Sequence, residues 1–193
     1  KQTMEAREKL NEFAELRGWN MANHQFKQQK RDEYYTKEYA IIPLLKYLKP
    51  NSQIWCPFDT QESNFVKVLS NNGHPTLWTH IWTGQDFFET EPPKGTEYII
   101  SNPPYSLREK VLERLFDFKI SFAMLINEAG LFDSKKRYEL LKNNPFEIMV
   151  FDKRIDYIKG DENMKGGVPF KSIYLCSNVL PDKFVFEALG EKF

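Results

Sequence analysis

Short apolar runs alternate with helical stretches along most of this chain, and that alternation limits the fold more than any other feature. Strands are predicted at 52–56 (SQIWC), 75–81 (PTLWTHI), 97–101 (EYIIS), 120–127 (ISFAMLIN), 146–152 (FEIMVFD) and 172–180 (SIYLCSNVL). Helices are predicted between them at 62–73, 106–118 and 134–144. The first ends in Asn71-Asn72-Gly73, a left-handed stop signal. The second opens with Ser106 and Glu109 at capping-box spacing. A further helix over 38–48 carries Pro43, near its start or at a kink. Strands alternating with helices predict an α/β fold, a mainly parallel sheet with helices on both faces.

The 193 residues fit one domain, with a core over 32–180 and an extension over 1–31. Within the extension, 4–17 has an amphipathic helical pattern (Met4, Leu10, Phe13, Leu16) that suits packing on the body, on a partner subunit or in a homodimer. Residues 18–35 are polar and read as a surface loop. Lysine plus arginine equal aspartate plus glutamate at 27 each, which excludes a strongly basic non-specific binder but leaves room for a local basic patch. Cys56 and Cys176 lie in apolar strands and read as buried reduced thiols of a cytoplasmic protein. The charged residues from Lys1 onward predict no signal peptide, and no apolar run is long enough to span a membrane. His24, His74 and His80 lack metal-ligand spacing, so no metal is expected. There is no P-loop and no nucleophile elbow.

Ligands of parallel sheets bind beyond the carboxyl ends of the strands. The residues there are Pro57-Phe58-Asp59-Thr60, His80, Asn102-Pro103-Pro104-Tyr105, Asn127-Glu128 and Asp152-Lys153-Arg154. Asn102-Pro103-Pro104-Tyr105 is the most specific. Four fixed residues recur by chance in a chain this long on the order of one time in a thousand. Each proline fixes its own φ and offers a carbonyl without an N–H. Asn102 precedes a proline and is therefore driven extended. A rigid strand exit results, with acceptors beside an aromatic ring. The Asn102 side-chain oxygen and the Pro103 carbonyl suit the two hydrogens of a planar –NH2 group. Tyr105 suits stacking on its ring.

The tetrapeptide resembles the catalytic motif of S-adenosylmethionine-dependent amino-methyltransferases, which methylate adenine N6 or cytosine N4 and, in related enzymes, glutamine amides. The resemblance covers most of 32–178 and is nearest to small solitary adenine methyltransferases of phages and prophages. It implies a Rossmann-like class I methyltransferase fold and S-adenosylmethionine as cofactor. Asp32-Glu33-Tyr34-Tyr35-Thr36 is similar to the motif before the cofactor strand, which places Tyr35 and Thr36 near the methionine end. Pro57, Phe58 and Asp59 stand where the cofactor loop begins. Asp86 and Phe87, within Gly84-Gln85-Asp86-Phe87-Phe88, stand at the adenine, and His80 and Asn102 join the cofactor set. Asn102, Pro103, Pro104 and Tyr105 are the implied catalytic residues.

Two departures stand out. The loop Cys56-Pro57-Phe58-Asp59-Thr60-Gln61-Glu62-Ser63 holds no glycine, and Thr79-His80-Ile81 replaces the ribose-binding acid at the end of the second strand. Asp59 is either a substitute carboxylate or a helix cap, and the roles can coexist. Lys153, Arg154, Tyr157 and Phe170 lie in a basic stretch implied to receive the substrate, with Lys135, Lys136 and Arg137 as further phosphate contacts or a solvated helix face. The expected partner is nucleic acid, DNA ahead of RNA. A protein-glutamine or RNA methyltransferase and a non-catalytic nucleic-acid-binding subunit stay open as alternatives.

Overall fold

The computed structural model of the protein describes residues 35–159, 162–163 and 170–190. The predicted helix over 4–17, the loop before Tyr35 and His24 lie outside the described residues. The strands are β1 (Tyr35–Thr36), β2 (Ile54–Cys56), β3 (Thr76–Trp78), β4 (Tyr98–Ser101), β5 (Ser121–Asn127), β6 (Glu147–Phe151), β7 (Tyr157–Lys159), β8 (Glu162–Asn163), β9 (Ser172–Ser177) and β10 (Phe184–Glu187). The helices are α1 (Ile42–Leu45), α2 (Asn64–Asn71), α3 (Arg108–Phe118) and α4 (Lys135–Asn143).

Seven strands form one sheet in the order β10-β6-β9-β5-β4-β2-β3. Every neighbouring pair is parallel except those of β9, which runs against both β5 and β6. The predicted mainly parallel sheet is what forms. Period-two alternation then sorts the side chains. Ile54, Cys56, Ile100, Ala123, Leu125, Met149, Tyr174 and Cys176 face a core covered by α2. Trp55, Ile99, Phe122, Met124, Ile126, Ile148, Ile173 and Leu175 face a second core covered by α3 and α4. Both cysteines are buried and unbridged, and burial pushes their thiols well above the ordinary range.

Several local readings need correction. The predicted 38–48 helix is a 3-10 turn (Glu38–Ala40) followed by the short α1, with Pro43 in its first turn, where a missing N–H costs nothing. The strand predicted over 172–180 stops at Ser177. Asn178 adopts φ 55°, and the Glu147 carboxylate accepts from the backbone N–H groups of Asn178, Val179 and Leu180. A 3-10 turn (Tyr105–Leu107) displaces the Ser106–Glu109 capping box, so α3 begins at Arg108. Glu109 instead accepts from Ser134 Oγ at 3.0 Å and from Arg137 at 3.2 Å, joining α3 to the start of α4.

Beyond that pair, the Arg137 guanidinium also donates to the carbonyls of Gly130 and Leu131, and Arg108 donates to those of Asn127 and Ala129. The loop after β5 is thus held from beneath by two arginines. Arg137→Ala is expected to lower unfolding stability in urea by about 1–3 kcal/mol, because it takes one donor from the half-buried Glu109 carboxylate and the guanidinium donor from two carbonyls. Lys135→Ala on the exposed side of α4 is expected to stay within about 0.5 kcal/mol.

Candidate active site

The parallel pairing of β2 with β4 brings their carboxyl ends side by side. Asp59 follows β2, and Ser101 ends β4. Asp59 is 8% exposed, and each of its carboxylate oxygens accepts a short hydrogen bond, Oδ1 from Ser63 Oγ and Oδ2 from Ser101 Oγ. Ser63 caps α2 by accepting from Phe65 N–H at 3.2 Å. Next to it, Asn64 Nδ2 donates to the Thr36 carbonyl at 2.8 Å. Next to Ser101, Asn102 Nδ2 donates to Thr36 Oγ1 at 3.3 Å. These four side-chain bonds close a ring through Asp59, Ser63–Asn64, Thr36 and Asn102–Ser101. Tyr35, paired in β1 with β7, stays exposed beside buried Thr36.

The two prolines carry the chain out of β4. Pro103 is buried, and Pro104 is extended at φ −56°, ψ 125° before the Tyr105 turn. The Tyr105 ring meets Phe170 edge-on at 5.3 Å between centroids, and Phe170 meets Tyr157 at 6.2 Å. Tyr105 and Phe170 therefore lie together. Tyr157 departs from that reading. It is wholly buried, its hydroxyl shares a 2.6 Å bond with Ser172 Oγ and bonds with Tyr105, and burial pushes it up to about 12. It braces the aromatic pair from behind.

On the other flank, Pro57 is buried and Phe58 half-buried, its ring 4.8 Å from Phe87. Phe87 itself is buried among Trp55, Phe88 and Phe118, so it packs the core beneath the loop. Asp86 is half-buried. Its Oδ1 accepts from Phe88 N–H at 3.0 Å, and its second oxygen bonds nothing among the described residues. At the end of β3, Thr79 Oγ1 accepts from Trp55 Nε1, and His80 Nδ1 accepts from Trp82 N–H. Among the described residues, no carboxylate bonds to Thr79 or His80. The groups on these loops that could hold S-adenosylmethionine are Asp86, Phe58, Thr36 and Asn102. Of the two roles open for Asp59, that of a substitute carboxylate finds neither oxygen left for a ligand, since Ser63 and Ser101 hold one each.

The basic residues divide. Arg154 and Lys135 are exposed. Lys153 Nζ donates to the Gly190 carbonyl, Lys136 pairs with Glu113 and Glu109, and Arg137 is committed as described. Sequence reasoning missed Ser63, Asn64 and Ser101. A hydroxyl at the end of the otherwise apolar EYIIS strand was the available signal for Ser101.

No family model and no curated protein matches the chain. Solved structures do. A modification subunit assigned to a type I restriction enzyme from Vibrio vulnificus YJ016 superposes with a TM-score of 0.53 at 9% identity, over 96% of this chain and 51% of that one. TrmN from Thermus thermophilus (TM-score 0.41, 15% identity) covers 72% of this chain and 47% of its own. A type I restriction-modification system methyltransferase subunit from Streptococcus thermophilus (TM-score 0.46, 10% identity) covers 78% and 45%. This chain has the Rossmann-like class I methyltransferase fold. It spans about half the length of these structures.

Within this methyltransferase fold, buried Asp59 and half-buried His80 titrate in opposite senses. Burial raises the Asp59 carboxyl to about 6, against the pull of its two serine bonds. Burial lowers His80 to about 4. The native state holds the Asp59 proton at pH values where the unfolded chain has lost it, so stability falls as pH rises from about 4 to 6. For His80 the unfolded chain binds the proton first, so stability rises as pH climbs from about 4 to 6.5. The two offset. Asp59→Asn removes only the first, so its stability relative to wild type is expected to rise by up to about 3 kcal/mol between pH 4 and pH 8, on top of a pH-independent loss from its weakened serine bonds. Urea unfolding of both proteins across that range measures it. A stability difference independent of pH would contradict the assignment.

Proposed function

We propose that this protein is an S-adenosylmethionine-dependent N-methyltransferase acting on the exocyclic N6 of adenine in nucleic acid, DNA ahead of RNA. The observation that carries the reading is the Asn102-Pro103-Pro104-Tyr105 turn at the carboxyl end of β4, with Asn102 bonded to Thr36 and Tyr105 set against Phe170. When bound, the cofactor supplies an electrophilic sulfonium methyl group. Asn102 and the Pro103 carbonyl accept the two amine hydrogens and draw the nitrogen lone pair out of conjugation. Tyr105 holds the base plane. The nitrogen gains the methyl carbon as the carbon–sulfur bond breaks, and the excess amine proton leaves to water. The protein contributes orientation and hydrogen bonds, without a covalent intermediate. A base in duplex must leave the stack to reach this turn.

A second reading, a non-catalytic nucleic-acid-binding subunit that has lost cofactor binding, draws on the glycine-free loop after β2. Thermal melting separates the two, because a cofactor at 100 times its Kd adds roughly 2.7 kcal/mol to stability.

The direct test supplies labelled S-adenosylmethionine with DNA, RNA and protein substrates, followed by nucleoside and amino-acid analysis. Asn102→Ala is expected to lose roughly 10²–10³ in rate, with cofactor affinity within a few fold. Wild-type turnover in that variant would remove Asn102 from the chemistry. Among the described residues, Arg154 is an exposed cation close in sequence to the proposed substrate face. Arg154→Ala is expected to weaken binding to all DNA sequences alike and to flatten the salt slope by about 0.9. An unchanged slope would move the phosphate contact elsewhere.

A further inference from the structure

We propose that Asp59 is a positioning residue for methyl transfer, holding Asn102 through Ser101, and not a ligand of the cofactor. The inference rests on the reading of Asn102 given above and adds the element that fixes it.

The hydrogen-bond polarity is determined by neighbours. The Ser63 hydroxyl oxygen already accepts from Phe65 N–H, so its own hydrogen points to Asp59 Oδ1. Ser101 is wholly buried, and its hydroxyl donates to Oδ2. An ionised carboxylate satisfies both donors at once. A neutral carboxyl carries a hydrogen on one oxygen and must turn one serine around. Among the described residues the charge has no counter-ion: the groups that act on it are these two hydroxyls and burial. Facing it are the Cys56 thiol on its own segment and the Tyr174 hydroxyl on β9, and burial raises both, so both stay neutral near neutral pH. A cofactor ligand would turn an oxygen outward. Asp59 turns both inward, to the cap of α2 and to the last residue of β4.

Ser101 is covalently joined to Asn102. The side-chain ring also returns to Asn102 through Asn64 and Thr36. Loss of the Asp59–Ser101 bond frees one of the two supports on either side of the Asn102 amide. A displacement near 1 Å at a reacting group costs about 10²-fold in rate.

The experiment measures kcat at saturating S-adenosylmethionine and cofactor Kd by calorimetry for wild type, D59N, S101A, the double variant and N102A. D59N and S101A are expected each to lower kcat by about 10–100-fold with Kd within about threefold. The double variant is expected to be no worse than the poorer single, since both cut one link. The wild-type kcat is expected to fall below about pH 6, and this limb should vanish in D59N. S101A keeps the test open if D59N folds poorly. A Kd weakened about tenfold or more in D59N at unchanged kcat would make Asp59 a cofactor ligand and overturn the proposal. Full turnover of D59N and S101A beside an inactive N102A would overturn this inference alone. Full turnover of N102A would overturn the functional reading, and with it this one.

Discussion

The carboxylate of Asp59 lies in the interior with a serine hydroxyl on each oxygen, and the candidate site is organised around it. The residue joins three pieces of chain that are far apart in sequence: the exit of β2, the start of α2 and the end of β4. None of these would hold its neighbour by hydrophobic packing alone, because each is the end of an element where apolar side chains give way to polar ones. The sheet supplies adjacency through the parallel pairing of β2 and β4. The carboxylate turns adjacency into fixed geometry. Thr36 closes the arrangement from the side by receiving one asparagine from α2 and one from the Asn-Pro-Pro-Tyr turn.

This arrangement costs stability. An aspartate raised to about 6 by burial is held as an anion at neutral pH against its surroundings. Buried strain and charge of this kind concentrate where position matters more than stability. The prolines after Ser101 act in the same direction by removing backbone freedom from the turn. Farther out, the organisation is more ordinary. Arg108 and Arg137 hold the loop after β5 by its carbonyls, and Tyr157 braces Tyr105 and Phe170 from the core side.

Much of this was legible in the sequence. The strands announce themselves because both faces of a buried sheet need apolar residues, so SFAMLIN and SIYLC read as continuous runs. β10 escaped notice because Phe184 and Phe186 stand exposed at an edge, with Val185 packed inward, and the four residues are too few to show a period. β1 and β7 are shorter still. Asn-Pro-Pro-Tyr was readable because prolines restrict the backbone locally. The roles of Asp59, Tyr157 and Glu109 were not, because each is decided by a partner far along the chain. Glu109 has the spacing of a cap, and the 3-10 turn at Tyr105–Leu107 puts the helix start elsewhere. Tyr157 sits in a basic, polar stretch whose composition hides that its ring is interior. Asp59 follows a strand where a ligand carboxylate belongs, and only the positions of Ser63 and Ser101 show where its oxygens point.

Amide hydrogen exchange at neutral pH, read at Phe65 and at Ser101–Asn102 in wild type and Asp59→Asn, tests most directly whether one carboxylate holds both ends of the ring. The account predicts faster exchange in both segments together, with the rest of the sheet unchanged. Faster exchange at the start of α2 alone, with Ser101–Asn102 as protected as in wild type, would contradict it.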